Sequence, residues 1–224
     1  MTNEKIRLVQ RILNAFENDS GSPETDYKTI YLYHDGNGDR RQVTLARGFT
    51  DDGGNLKRVV DRYIAKGGVL SDYFKTKLKN FGKGILDDDS EFIAKLKEAG
   101  DEQVMHEAQD EIFTEAYMRP ALIWAEGYGF KEVLSQAVIV DTYLHSGSMQ
   151  DYLMSRFPEK KPSFGGDEKK WIKAYLDVRR EWLANHSKKI LRTTVYRPDF
   201  FLAQIKRNNW NLDCPLTAHD VHVC

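Results

Sequence analysis

Apolar residues recur with a helical period at the start of the chain. Ile6, Val9, Ile12, Leu13 and Phe16 fall on one face over residues 3–18. Ser20-Gly21-Ser22-Pro23 breaks that pattern. Residues 27–33 are rich in β-branched and aromatic side chains, Asp35-Gly36-Asn37-Gly38-Asp39 is a turn signal, and residues 42–45 alternate again. Together they predict a hairpin that forms the main sheet of the protein. From Asn55 onward the pattern is helical. Leu56, Val59, Val60 and Tyr63 share a stripe stopped by Gly67-Gly68, and residues 70–78 predict a further helix stopped near Gly82-Lys83-Gly84. Ser90 is the expected N-cap of a helix over 91–98. Residues 101–126 read as one long helix kinked at Pro120. Residues 130–145 are almost entirely apolar and predict a buried central helix. An amphipathic helix over 168–183, a last helix over 198–206 and a tail from Trp210 complete the pattern, with residues 158–167 as a loop within one domain.

The expected fold class is therefore mainly α (α+β) with one small antiparallel sheet. At 224 residues, 41% of them hydrophobic, one domain with a sizeable core is expected. Near-equal acidic and basic counts leave a net charge of -1, which gives no push toward nucleic acid. Aromatic residues reach 12%, enough to build core and to stack on sugar rings. No stretch is long and apolar enough for a membrane span, and the polar start carries no signal-peptide core. The expected site of action is extracellular or periplasmic, reached by a non-classical route or with a leader removed, and otherwise the cytoplasm. The two cysteines, Cys214 and Cys224, are read as free thiols for a reducing compartment, with a small terminal disulfide as the alternative. No Cys or His cluster has metal spacing, so neither metal nor cofactor is expected.

Glu17 closes the first amphipathic helix, and Asp35 follows at the hairpin tip. Two carboxylates facing each other across a cleft are the minimum equipment for cleaving a glycosidic bond. A glutamate behind Phe16 is a candidate general acid if its surroundings desolvate it. The bland reading is a solvated helix-end carboxylate. Asp35 before a glycine equally serves a turn. Asp39 in the same loop is a rival base, and Thr44 carries a hydroxyl able to hold a water.

Ala15-Phe16-Glu17-Asn18, the ungapped spacing from Glu17 through Tyr27-Lys28 and Ile30 to Asp35, and Gly48-Phe49 with Gly54-Asn55-Leu56 resemble the chitosanases of glycoside hydrolase family 46. So do Gly165-Gly166-Asp167-Glu168, the run from Ala174 to Arg179, and Trp210-Asn211-Leu212-Asp213 with Pro215-Leu216. The resemblance spans nearly the whole chain. It implies a two-lobed lysozyme-like fold, with the small sheet beside an active-site cleft. It also implies an endo-acting, inverting β-1,4-glycan hydrolase acting on a chitosan-like polymer. Glu17 falls on the general acid, Asp35 on the base and Thr44 on the water-holding threonine. An inverting pair is expected roughly 6.5–9.5 Å apart or more. The family also has a buried network of one aspartate and two arginines behind the acid. Asp141 and Arg179 match two of its positions, and the third falls on Arg192, less securely on Arg197.

The departures carry information. The hairpin after Asp35 is longer than the pattern, through Asp39-Arg40-Arg41, and Arg40 and Arg41 become candidate substrate contacts. Asn55 stands where the family has a carboxylate for the glucosamine ammonium, so Asp51 or Asp52 is the candidate substitute. The lost charge keeps a peptidoglycan-cleaving muramidase as the alternative: a phage endolysin, or a secreted effector with an immunity or export partner. A glycan-binding protein without catalysis is the contrasting class, against which the presence of both acids argues.

Overall fold

The computed structural model describes residues 1–21 and 26–224, so Ser22 and Pro23 of the expected break lie outside the described residues. The chain forms two compact units: Met1–Gly21 with Tyr117–Cys224, and Ser22–Ala116.

In the first unit, α1 (Asn3–Asn18) starts at Thr2, whose side chain accepts from the Lys5 N–H. Its periodic face buries Val9, Ile12, Leu13 and Phe16. α6 (Arg119–Gly127) leads to α7 (Val133–Ser146), which is buried on most of its circumference, as an apolar run all round the helix requires. The short α8 (Asp151–Met154) precedes α9 (Glu168–Ala184), capped by the Asp167 side chain on the Lys170 N–H. α10 (Lys189–Arg192) and α11 (Tyr196–Lys206) follow. Trp171 stacks on Tyr175 and meets Phe130 and Phe157 edge-on, forming an aromatic cluster on the inner face of α9.

The second unit holds the predicted hairpin. β1 (Ile30–His34) pairs antiparallel with β2 (Arg41–Leu45) in the register Tyr31 to Thr44 and Tyr33 to Gln42. A two-residue β3 (Phe49–Thr50) pairs on the other side of β2. α2 (Asn55–Ala65), α3 (Ser71–Lys77), α4 (Ser90–Ala99) and α5 (Gln103–Phe113) complete the unit. Its core gathers Val43, Leu45, Phe49, Val59, Tyr63, Phe74 and Phe92.

Some expectations need correction. The cap of α4 is Asp89, whose carboxylate accepts the Phe92 N–H; Ser90 is the first helical residue. The long helix over 101–126 is interrupted before Pro120, by a π-helical turn over Thr114–Met118. Pro120 then sits in the first turn of α6, where its missing N–H leaves no donor to satisfy. The tail forms a second hairpin, β4 (Thr217–Ala218) and β5 (Val221–His222). It brings Cys214 and Cys224 to a Cα separation of 5.7 Å, within bridging range, and they form a disulfide rather than free thiols. Among the described residues no helix is long and apolar enough to cross a membrane.

Candidate active site

Glu17 stands in the last turn of α1, and the end of that helix is secured from several sides. Asn14, fully buried, donates to the Ser20 carbonyl at 2.8 Å and accepts from the Asn18 side chain at 2.9 Å. Phe16 turns into an aromatic cluster with Tyr196, Phe200 and Phe201, at centroid distances of 5.7, 5.6 and 6.0 Å. The side chain of its neighbour Glu17 is 19% exposed.

The Glu17 carboxylate accepts from Arg197 Nη2. Arg197 Nη1 donates to Asp141 Oδ1 at 2.8 Å, and Arg179 Nη1 donates to Asp141 Oδ2 at 2.6 Å. Asp141 and Arg179 are wholly buried and Arg197 nearly so. Burial by itself pushes the Asp141 carboxyl up, but Arg179 and Arg197 together outweigh it and the net shift is down. Burial likewise works against the charge on Arg197, and Glu17 and Asp141 more than restore it. The arginine that completes the network is Arg197, not Arg192. Arg192 ends the four-residue α10 and donates to the carbonyls of His186 and Ser187. Arg197 is the second residue of α11, where that helix packs against α7 and α9.

His145 lies against the same network, a neighbour that the sequence reading missed. Arg179 Nη2 donates to its Nδ1 at 3.4 Å, which puts the ring proton on Nε2. Burial, then Arg197 and Arg179, hold its pKa well below 6.5, with Asp141 pulling weakly the other way. The unfolded chain takes up a proton near pH 6.5 that the fold refuses. This histidine's contribution to stability is thus fully present above about pH 6.5 and lost as pH falls. Urea unfolding between pH 7 and pH 5 should show wild type losing up to about 1.4 kcal/mol per pH unit relative to His145→Gln.

In the second unit, Asp35 follows directly on β1. Gln42 holds it, donating from Nε2 to Asp35 Oδ1 at 3.0 Å, while Gln42 Oε1 accepts the Asp52 N–H at 3.0 Å. Gln42 was also missed from sequence. Its only signal is a buried amide at the first inward position of β2 beside the turn. Residues two apart share a sheet face, so Thr44 lies on the Gln42 side. Thr44 is 8% exposed, and its hydroxyl has no hydrogen-bond partner among the described residues. Asp39 is exposed, with left-handed backbone (φ 62°), and among the described residues its side chain makes no hydrogen bond or ion pair.

The expected substrate contacts are mostly tied up within the protein. Both oxygens of Asp52 are taken, one by Arg40 Nη2 at 2.5 Å and the other by the Asn37 N–H at 2.7 Å, and the side chain is 6% exposed. A carboxylate so enclosed cannot meet a substrate ammonium. Arg40 also donates to the Lys83 carbonyl, and Arg41 pairs with Asp87 and Asp88. Asp51 is buried and accepts the Gly82 N–H; burial raises its pKa despite that bond. These groups brace the loop after Asp35. Asn55 begins α2 and accepts from Arg58 at 2.9 Å. Among the described residues no cluster of His, Cys, Asp or Glu is arranged to hold a metal.

The model of glycosyl hydrolase family 46 matches residues 11–216. The chain belongs to glycosyl hydrolase family 46. It is 30% identical over 234 aligned positions to a chitosanase of Bacillus subtilis strain 168, covering 96% of this chain and 82% of that protein. The crystal structure of the native chitosanase from Bacillus subtilis MY002 superposes with a TM-score of 0.83 at 28% identity, covering 97% of this chain and 95% of that one. A mutant of the MY002 chitosanase complexed with 6 GlcN gives a TM-score of 0.82. A Gynuella sunshinyii family 46 chitosanase in complex with chitotetraose gives 0.81 at 22% identity, covering 96% of this chain and 93% of that one, a likeness of fold. The family 46 chain is thus a glycosidase with the lysozyme-like, mainly helical fold of the chitosanases, its small antiparallel sheet included.

Proposed function

We propose that this glycosidase is an endo-acting, inverting β-1,4-glycan hydrolase whose substrate is a glucosamine-containing polymer of the chitosan type. The whole chain acts as one catalytic domain. Glu17 gives its proton to the glycosidic oxygen as the bond from that oxygen to the anomeric carbon breaks. Water attacks the anomeric carbon from the opposite face and passes a proton to Asp35. The two carboxyl groups then return to their starting protonation through solvent.

The observation that carries the reading is the grip of Arg197 on Glu17, at the end of the buried chain through Asp141 to Arg179. A buried ion network is weak evidence for stability, since desolvation offsets most of the Coulomb gain. Here Nε of Arg179 and Nε of Arg197 also lack an acceptor among the described residues. A network that stabilises so inefficiently, yet ends on one half-buried carboxylate, fits a device that orients that carboxylate. On the other unit, Gln42 restrains Asp35 while Asp39 is loosely held, which favours Asp35 as the base. The Thr44 hydroxyl on the same sheet face is unpartnered among the described residues but buried, so for it to hold the attacking water the side chain must be uncovered when substrate binds.

The substrate class is supported by the two Bacillus chitosanases, one of them complexed with 6 GlcN. The terminal disulfide supports an oxidising site of action, outside the cell or in a periplasm. The test is to incubate the protein separately with chitosan oligomers and purified peptidoglycan, identify new ends by mass spectrometry, and read the first-formed anomer by proton NMR. Chitosan should yield shorter oligomers that appear first as the α anomer. Products from peptidoglycan alone would overturn the substrate, and a first-formed β anomer would overturn inversion.

A further inference from the structure

The turn between β4 and β5 has two residues, His219 and Asp220, with φ of 47° and 63°. Such a hairpin turn favours Asn-Gly, because Gly and Asn enter the left-handed region most readily. Histidine is tolerated in that region, so the turn conformation leaves its side chain free to be used elsewhere. Its imidazole reaches the far end of α1. Nδ1 lies 2.5 Å from Asp19 Oδ1, and the ring stacks on Tyr196 at 3.9 Å and 21°.

Both contacts converge on the helix end that carries Glu17. Asp19 stands two residues after Glu17 and is itself left-handed (φ 54°), the residue at which α1 stops. The Tyr196 hydroxyl donates to the Phe16 carbonyl at 2.8 Å, one residue before Glu17. Tyr196 also precedes Arg197, the arginine on the Glu17 carboxylate. His219 therefore touches one group on each side of the acid. Its own hairpin is closed at the base by the disulfide and by the Leu216 and Val223 backbone bonds.

We propose that His219 is a positioning residue for Glu17: the disulfide-closed terminal hairpin presents its ring to Asp19 and Tyr196 and so fixes the helix end that aims the acid. The inference rests on the assignment of Glu17 as the general acid. Positioning matters because displacing a catalytic group by about 1 Å costs on the order of 100-fold in rate.

His219→Asn separates this role from a structural one, because asparagine suits the left-handed turn better than histidine. The expected result on chitosan oligomers is a fall in kcat of about tenfold or more, with KM within about twofold of wild type and a thermal midpoint equal to or above it. Asp19→Asn should lower kcat in the same way, and the double variant should lose less than the product of the two single losses. If His219→Asn does not fold, Asp19→Asn at the exposed helix end carries the test alone. Wild-type kcat in the folded variants, or a lower thermal midpoint with kcat per folded molecule intact, overturns the proposal. If wild type cleaves no glycan, the function fails separately. Positioning is then read from the Glu17 carboxyl ¹³C resonance, assigned with Glu17→Gln, which moves in both single variants if His219 acts on it and stays in place if it does not.

Discussion

Glu17→Gln should lower kcat on chitosan oligomers by about 10²–10⁴-fold, the range of a general acid's contribution, with little change in KM. Glutamine keeps the length and planarity of the side chain and still accepts from Arg197, but the change removes both the transferable proton and the carboxylate charge. The thermal midpoint should fall, because Glu17 is the leading charge that sustains buried Arg197 and Asp141 alone must then serve both arginines, so kcat is compared per folded molecule. Initial rates of reducing-end release measure the loss. Glycosides with activated aryl leaving groups sharpen the test, since they need less protonation and should lose less rate. A glycan-binding protein without catalysis would show no turnover to lose, and equal loss on both substrate types would remove Glu17 from the acid role.

Asp141→Asn should be the most destabilising single change in the network, by about 3–5 kcal/mol. It leaves Arg179 and Arg197 buried without the carboxylate that bridges them. The comparison is Asp199→Asn, which removes the exposed pair with Arg180 and should cost less than about 1 kcal/mol. Urea unfolding at pH 7 reads both. Since the Asp141 pKa is depressed in the fold, its ionic contribution is present above the ordinary aspartate range and lost as pH falls through the folded value. The gap between wild type and Asp141→Asn should therefore narrow at low pH. A loss below about 1 kcal/mol at pH 7 would mean that the two arginines find other compensation.

Much of the fold was legible wherever an element was long enough to repeat its own period. α1, α2 and α9 follow their apolar stripes, α7 its continuous apolar run, and the hairpin of β1 and β2 its alternation. The four-residue α8 and α10 and the two-residue β4 and β5 contain too few residues to show a period, and the His-Asp turn between those strands lacks the usual Asn-Gly signature. The π-helical turn before Pro120 escaped for a related reason. A local register change in the backbone leaves no composition signal, and the proline drew the kink toward itself.

Residue order along the chain settled the helical class, the sheet beside Asp35, the family and the two acids worth testing, because periodicity and local motif spacing are properties of neighbours in sequence. Tertiary structure alone decided what each charge faces. Arg197 rather than Arg192 reaches Glu17, Gln42 restrains Asp35, Asp52 spends its oxygens on Arg40 and Asn37, and Cys214 finds Cys224. The reason is physical. A charged or polar side chain is defined by a partner within about 3 Å, and residues 17, 141, 179 and 197 become neighbours only after four helices have packed.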